Sequence, residues 1–236
     1  MQNHPSGSDS HPDPQTTNRD IQGTGGAPAL LTIDSGPTYS FGSQATGSVS
    51  DHTFTINNSG AVSATAIADA ASLANPYSYN GGTYPGVGGT CSGTIASGAS
   101  CTVVVRYQPT APGLTTDTID INYNDGVLLT NTTRDVEGTG ATPANISISE
   151  AEPYVFGTFP VGSVSEHTFT LTNSGQITAN SMVELTMSPP FNFKGGTYPG
   201  TGGSCGSSLS GSGTTCTLVV EFTPLSTGIQ SSTITV

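Results

Sequence analysis

The 236-residue chain reads as all-β: two tandem immunoglobulin-like antiparallel β-sandwiches, the second lacking its last strand or strands. Three observations predict this. The sequence repeats itself: "GSVSDHTFTINNSG" (Gly47–Gly60) returns as "GSVSEHTFTLTNSG" (Gly162–Gly175), at an offset of 115 residues. Within each copy apolar and polar residues alternate with period two, the signature of half-buried strands. Helix-forming residues never gather into a run, whereas Thr, Val, Ser and Gly abound, as in solvent-facing strands.

The elements follow in order. Residues 1–16 form a polar, Pro-rich tail expected to be disordered. Residues 17–26 look like the last strand of a preceding repeat, because "NRDIQGTGGAP" (Asn18–Pro28) matches the inter-repeat junction "TRDVEGTGATP" (Thr133–Pro143). Repeat one then spans 27–140 and repeat two 141–236. Strands are expected over Leu30–Ile33, Val49–Asn57, Ala61–Ala68 and Tyr77–Asn80. In "HTFTI", Phe54 and Ile56 face inward, as do Val103, Val105 and Tyr107 in "TVVVRY". On the opposite face Arg106 becomes Glu221 in repeat two, a reversal that fits solvent exposure. "TIDINY" alternates and meets Asn124-Asp125-Gly126, a strong hairpin signal, before returning as "VLLTNTTRDVEG". Ala61–Ala74 is the one stretch whose alanines suggest helix, but Val62, Thr65, Gly60 and Pro76 weigh against it. The count is about seven short strands per repeat of roughly 115 residues, the pattern of an immunoglobulin-like sandwich. Repeat two stops at Val236, the equivalent of Ile121, so no counterpart of Asn122–Gly140 follows.

Four cysteines fall two to a repeat, Cys91/Cys101 and Cys205/Cys216, each pair closing a short Ser/Gly/Thr-rich loop. Disulfides are expected, and with them an oxidising compartment. Zinc is disfavoured because CxxC spacing and a local His are absent. The loop "GGTYPGVGG" lacks the Lys-Ser/Thr ending of a phosphate loop and leads into no helix. Its glycines are read as turn residues.

The ordered set "FGSQATGSVSDHTFTINNSG", "GGTYPGVGGTC", "GASCTVVVRYQPTAPG" and "VEGTG" resembles the choice-of-anchor D repeats of bacterial surface proteins, themselves similar to hydin-type (ASH) and PapD-like folds. The resemblance covers roughly residues 27–236 and implies extracellular stalk or adhesin modules without activity.

Function classes narrow accordingly. The formal net charge is −12, and the four basic residues Arg19, Arg106, Arg134 and Lys194 are scattered. That excludes nucleic acid as a partner and disfavours an anionic membrane surface. No run is long and apolar enough to insert in a bilayer. No nucleophile elbow or acid/base constellation argues for an enzyme. The expected location is extracellular or on the cell surface, with signal peptide and anchor outside this chain. Expected partners are other repeats of the same parent protein, a glycan or surface receptor, and a second copy bound at the open edge of repeat two. That last partner would make the chain a fibre subunit assembling by strand complementation.

Candidate ligand positions are few. Tyr77, Tyr79, Tyr84 and Tyr198 would be the platform of a carbohydrate-binding module; the alternative is that Tyr84 and Tyr198 each cover their own loop. Asp117, Asp120 and Asp125 are a weak calcium set, not repeated because Ser232 and Thr235 replace the first two. Otherwise no cofactor is expected. His52 and His167 are read as residues at the start of a half-buried strand rather than ligands. Lys194, the only lysine, is read as solvent-facing, not as half of an isopeptide cross-link.

Overall fold

The computed structural model describes residues 16–183 and 187–236. Repeat one folds as two packed sheets. The first contains β1 (Leu31–Ile33), β3 (Ser50–Asn58), β7 (Ser100–Tyr107) and β5 (Tyr77–Tyr79), in the order β1-β3-β7-β5. The second contains β2 (Thr38–Ala45), β9 (Leu129–Ala141), β8 (Gly113–Asn124), β4 (Ala64–Asp69) and β6 (Thr94–Ile95), in the order β2-β9-β8-β4-β6. Period-two alternation holds where it is expected. Phe54 and Ile56 of β3 pack with Val103, Val105 and Tyr107 of β7, and these meet Ile119, Ile121, Tyr123 and Val136 of the second sheet. Burying a Phe, Ile or Val side chain stabilises by roughly 1.5–3 kcal/mol, so this inter-sheet layer dominates the fold.

Two features depart from the expectation. β2 falls in a stretch where the alternation predicts no strand, and it joins β9 in parallel, so the sheets are not wholly antiparallel. Its register shifts between Ser40 and Ser43, around Gly42, which has φ 72°. That irregularity breaks the alternation that period-two reading depends on. β6 is only two residues long and pairs with β4. The alanine-rich stretch forms strand β4, as expected, with a register shift between Thr65 and Ala68.

Repeat two rebuilds the first sheet strand for strand: β10 (Ile146–Ile148), β11 (Ser165–Asn173), β15 (Thr214–Phe222) and β13 (Phe191–Phe193), in the order β10-β11-β15-β13. Opposite it lies only the pair β12 (Ala179–Asn180) and β14 (Ser208–Leu209) among the described residues. Phe191 stacks on Phe222 at 4.7 Å, where Tyr77 stacks on Tyr107 at 4.9 Å in repeat one. Phe156, Ile234 and Val236 pack against this core but stay half-buried, whereas their equivalents Phe41, Ile119 and Ile121 are buried.

The surface pair that reverses charge is resolved locally. Asp51 sits opposite Arg106, which donates to both its carboxylate oxygens at 2.8 and 2.9 Å, and the guanidinium holds the Asp51 carboxyl below its usual range. In repeat two Glu166 faces Glu221, and Lys194 reaches Glu166 Oε2 at 2.7 Å from the neighbouring loop. Lys194 is therefore an exposed ion-pair partner. Solvent screens such exposed pairs, so they add little to stability.

The disulfides Cys91–Cys101 and Cys205–Cys216 bridge Cα atoms 4.8 and 4.9 Å apart and tie the incoming loop to β7 and β15. Closing loops of 10 and 11 residues constrains the unfolded chain by about 3 kcal/mol each. Replacing Cys91 and Cys101 together by serine is expected to lower the stability of repeat one by that amount in urea unfolding. Adding a reductant to the wild type should reproduce the loss.

Candidate functional site

The glycine-rich loop is clamped on β7 by main-chain hydrogen bonds. Asn80 N–H donates to the Val104 carbonyl at 2.9 Å, and Val104 N–H returns a bond to the Pro85 carbonyl at 2.8 Å. Cys91 N–H then donates to Thr102 O at 3.1 Å. Repeat two reproduces the set through Lys194 to Val219, Val219 to Pro199 and Cys205 to Thr217. Gly86, at φ 90°, passes so close to the Val104 carbonyl that a Cβ would overlap it. The Asn80, Thr90 and Cys91 N–H groups are spent on β7, and those of Gly82, Gly86, Val87 and Gly89 on carbonyls of the loop and β5.

Beneath it lies a cleft of about 250 Å³ lined by Asp69, Ser72, Leu73, Tyr79, Thr83 and Tyr84. β4 ends at Asp69, β5 at Tyr79, and the loop contributes Tyr84, so three segments converge. Tyr79 donates its hydroxyl to Asp69 Oδ1 at 2.9 Å, and its ring meets Tyr84 edge-on at 5.4 Å. The Tyr84 hydroxyl is buried and has no hydrogen-bond partner among the described residues. Burial, and then the Asp69 charge, push the Tyr84 phenol up to about 12. Burial also raises the Asp69 carboxyl above its usual range, against the lowering effect of the Tyr79 hydrogen bond. The cleft is thus a half-enclosed place with one acceptor and one orphan hydroxyl.

The four tyrosines do not form one platform. Tyr77 and Tyr79 are buried in the core of repeat one, and Tyr77 directs its hydroxyl to Thr115 O at 2.8 Å. Their positions in β5 alternate inward because both flank Ser78. Tyr198 covers its own loop, donating to Gly206 O at 3.2 Å and meeting Phe193 edge-on at 5.6 Å. Phe193, which stands where Tyr79 stands in repeat one, has no hydroxyl, so the Tyr79–Asp69 arrangement is not reproduced there. Of the four, only Tyr84 retains an unsatisfied polar atom at a cleft.

Nor does the fold bring the three aspartates together on one ligand. Asp125 caps its own turn, accepting from Val127 N at 2.7 Å and Leu128 N at 2.8 Å. Asp117 accepts from Ala74 N at 2.7 Å, and Asp120 from Asn131 Nδ2 at 2.9 Å. Asp117 and Asp120 are three apart on β8 and so point to opposite faces. Among the described residues no group of three or more His, Cys, Asp or Glu side chains could hold a metal ion. His52 and His167 stack on Tyr39 and Tyr154, at 3.8 and 3.9 Å, and serve as half-buried strand residues.

Sequence reasoning missed the residue that organises the sandwich. Asn58 ends β3 with its side chain buried, and Asn173 does the same for β11. Asn58 Nδ2 donates to Val62, Ile95 and Ala96 carbonyls, while Oδ1 accepts from Leu30 and Gly60 N–H. Asn173 repeats the scheme with Ile177, Leu209, Asn145 and Gly175. The signal was present as the "NSG" shared by both repeats.

No family model matches the chain, and no curated protein matches it. Solved structures give low-scoring likenesses. The seventh PapD-like (ASH) domain of human CEP192 aligns at 13% identity and TM-score 0.36, over 56% of this chain and 99% of that one. A protein of unknown function from Porphyromonas gingivalis aligns at 8% identity and TM-score 0.34, over 83% of each chain. The VesB protease of Vibrio cholerae aligns at 18% identity and TM-score 0.38, over 46% of this chain and 31% of the protease. Scores of this size assign neither a family nor an activity. The all-β, immunoglobulin-like architecture rests on the strands themselves.

Proposed function

We propose that the chain is a tandem immunoglobulin-like segment of a bacterial extracellular or cell-surface protein, acting as a non-catalytic spacer and interaction module. The observation that carries this reading is the junction. β9 ends at Ala141, and Thr142 already bonds to repeat two: its carbonyl accepts from Gln176 N at 3.0 Å and Ile177 N at 3.1 Å. Its own N–H donates to Gln176 Oε1 at 2.9 Å. No slack separates the repeats, which suits a module that transmits position along an array. The disulfides suit an oxidising environment. The resemblance to choice-of-anchor D repeats supplies the finer reading of a bacterial stalk or adhesin, and no helix among the described residues is long and apolar enough to cross a membrane. Residual dipolar couplings test the junction: one alignment tensor for both repeats is expected. Independent tensors would overturn the spacer reading.

The orphan Tyr84 hydroxyl favours a second reading, in which the cleft beside Asp69 and Tyr79 takes a polyol such as one sugar ring. On that reading a glycan array shows saturable binding, lost by about tenfold in Tyr84→Phe, which removes one hydrogen bond of about 1.5 kcal/mol. Tyr198→Phe leaves it unchanged. Binding that survives Tyr84→Phe, or none at all, would eliminate it.

A further inference from the structure

The carboxylate that closes β4 has no counter-ion among the described residues. Asp69 Oδ1 accepts from the Tyr79 hydroxyl at 2.9 Å. Oδ2 accepts no hydrogen bond among the described residues, and unlike the Tyr84 hydroxyl it is not sealed from solvent. The ion pairs among the described residues are Asp51–Arg106, Glu150–His167 and Glu166–Lys194, and none reaches Asp69.

Its surroundings add negative charge instead. Burial first, and then the charges of Asp120 and Asp117, hold the Asp69 carboxyl above its usual range against the Tyr79 hydrogen bond. Asp117 is tied to the cleft wall: it accepts from Ala74 N–H at 2.7 Å, and Ser72 and Leu73 of the same loop line the cleft. The main-chain carbonyl of Asp120 accepts from Ala70 N–H at 2.8 Å, where that loop begins.

The cleft thus joins a free carboxylate oxygen, two aromatic walls set edge-on at 5.4 Å, and hydroxyls from Ser72, Ser78 and Thr83. The carboxylate and the ring faces favour a cation. The hydroxyls offer partners to a polyol, and a volume of about 250 Å³ admits a single sugar ring. Repeat two lacks the set. There Phe193 replaces Tyr79, the Tyr198 hydroxyl is taken by Gly206 O, and Lys194 stands in place of Asn80.

We propose that the cleft of repeat one takes an amino sugar, its protonated amine on Asp69 Oδ2 and its ring against Tyr79 and Tyr84. The assignment rests on the polyol reading of the same cleft and adds the ligand's charge to it. A neutral hydroxyl in place of the amine leaves the carboxylate without a counter-ion. An N-acetyl group does the same and adds bulk. Glucosamine should therefore bind at least about tenfold more tightly than glucose or N-acetylglucosamine, the margin of a charge-assisted over a neutral hydrogen bond.

Titration of the whole chain with these three sugars and with Nα-acetyl-lysine amide, followed by amide NMR, tests it. Glucosamine should shift the amides of Asp69, Ser72, Thr83 and Tyr84 and leave the Tyr198 loop in place. Raising salt from about 0.05 to about 0.5 M should weaken glucosamine binding and spare glucose. Asp69→Asn keeps an acceptor for Tyr79 and removes the charge, so it should bring glucosamine down to the affinity of glucose. Urea unfolding of that variant should show repeat one no less stable, since a half-buried charge is gone. Equal affinity for glucose and glucosamine in the wild type would overturn the amine and leave the polyol reading standing. Binding of no sugar would remove both. A preference for glucosamine that survives Asp69→Asn would overturn the proposal. So would shifts confined to another surface, or Nα-acetyl-lysine amide binding as tightly as glucosamine, which would make the site a reader of ammonium without a ring.

Discussion

Replacing Asn58 by alanine is expected to destabilise repeat one by about 4 kcal/mol, although no apolar contact of consequence is lost. The two amide protons of the side chain are shared among three carbonyls and its oxygen accepts from two N–H groups, and all partners are main-chain groups. Those groups come from the β1 entry, the turn after β3, and the end of β6 with the loop beyond it. Alanine leaves these main-chain groups without the amide that pairs them. Asn58→Asp has nearly the same shape but should be at least as costly at neutral pH, because a carboxylate would face three carbonyl oxygens. Its pH dependence carries a definite sign. Burial and the carbonyls raise the folded-state pKa of the introduced carboxyl above the unfolded value of about 3.9. The penalty is therefore full above the folded pKa and shrinks as pH falls and the carboxyl takes up a proton. Urea unfolding of the three proteins between acid and neutral pH reads both effects. An Asn58→Ala loss below about 1 kcal/mol would mean that the amide is not the staple we describe.

Gly140→Ala is expected to be nearly as damaging, by about 3 kcal/mol or more, for a reason opposite to a cavity. The added Cβ would overlap the Ala111 carbonyl oxygen and press the Pro109 ring at 3.0 Å, so β9 and the Pro109–Ala111 loop must separate. That loop also accepts from Gly47 N–H at 2.8 Å, which couples the disturbance to the start of β3. Gly25→Ala, the same change in the equivalent motif, should alter the stability of the free chain by no more than a few tenths of a kcal/mol. Differential scanning calorimetry of both variants measures the contrast. Equal effects would show that the two glycine motifs have equal surroundings.

The first sheet is legible in the amino-acid sequence because its strands, β3 and β7 above all, alternate cleanly and recur with the same faces in β11 and β15. β2 is not legible: Tyr39 and Phe41 alternate, but the irregularity at Gly42 cuts the period short. Parallel pairing with β9 depends on residues about 95 positions away and has no local trace. The tyrosines illustrate the same limit. Tyr77, Tyr79 and Tyr84 look alike as letters, and only packing separates two hydrogen-bonded core rings from a cleft wall with an orphan hydroxyl. The aspartates near the hairpin look like one cluster, yet each carboxylate is committed to a different backbone or side-chain donor.

By itself the sequence determined the duplication, the strand character of each repeat, the disulfide spacing and the lack of clustered positive charge. Those properties are carried by composition and by neighbours two residues apart, where alternation and turn chemistry act directly. Tertiary structure alone decided that "NSG" holds a buried staple, that the glycines of "EGTG" exist to let β9 approach Tyr107 and Ala111, and that the same glycines at 23 and 25 face nothing. Each depends on which distant segment arrives at that position, a long-range consequence of burying both sheets against one another.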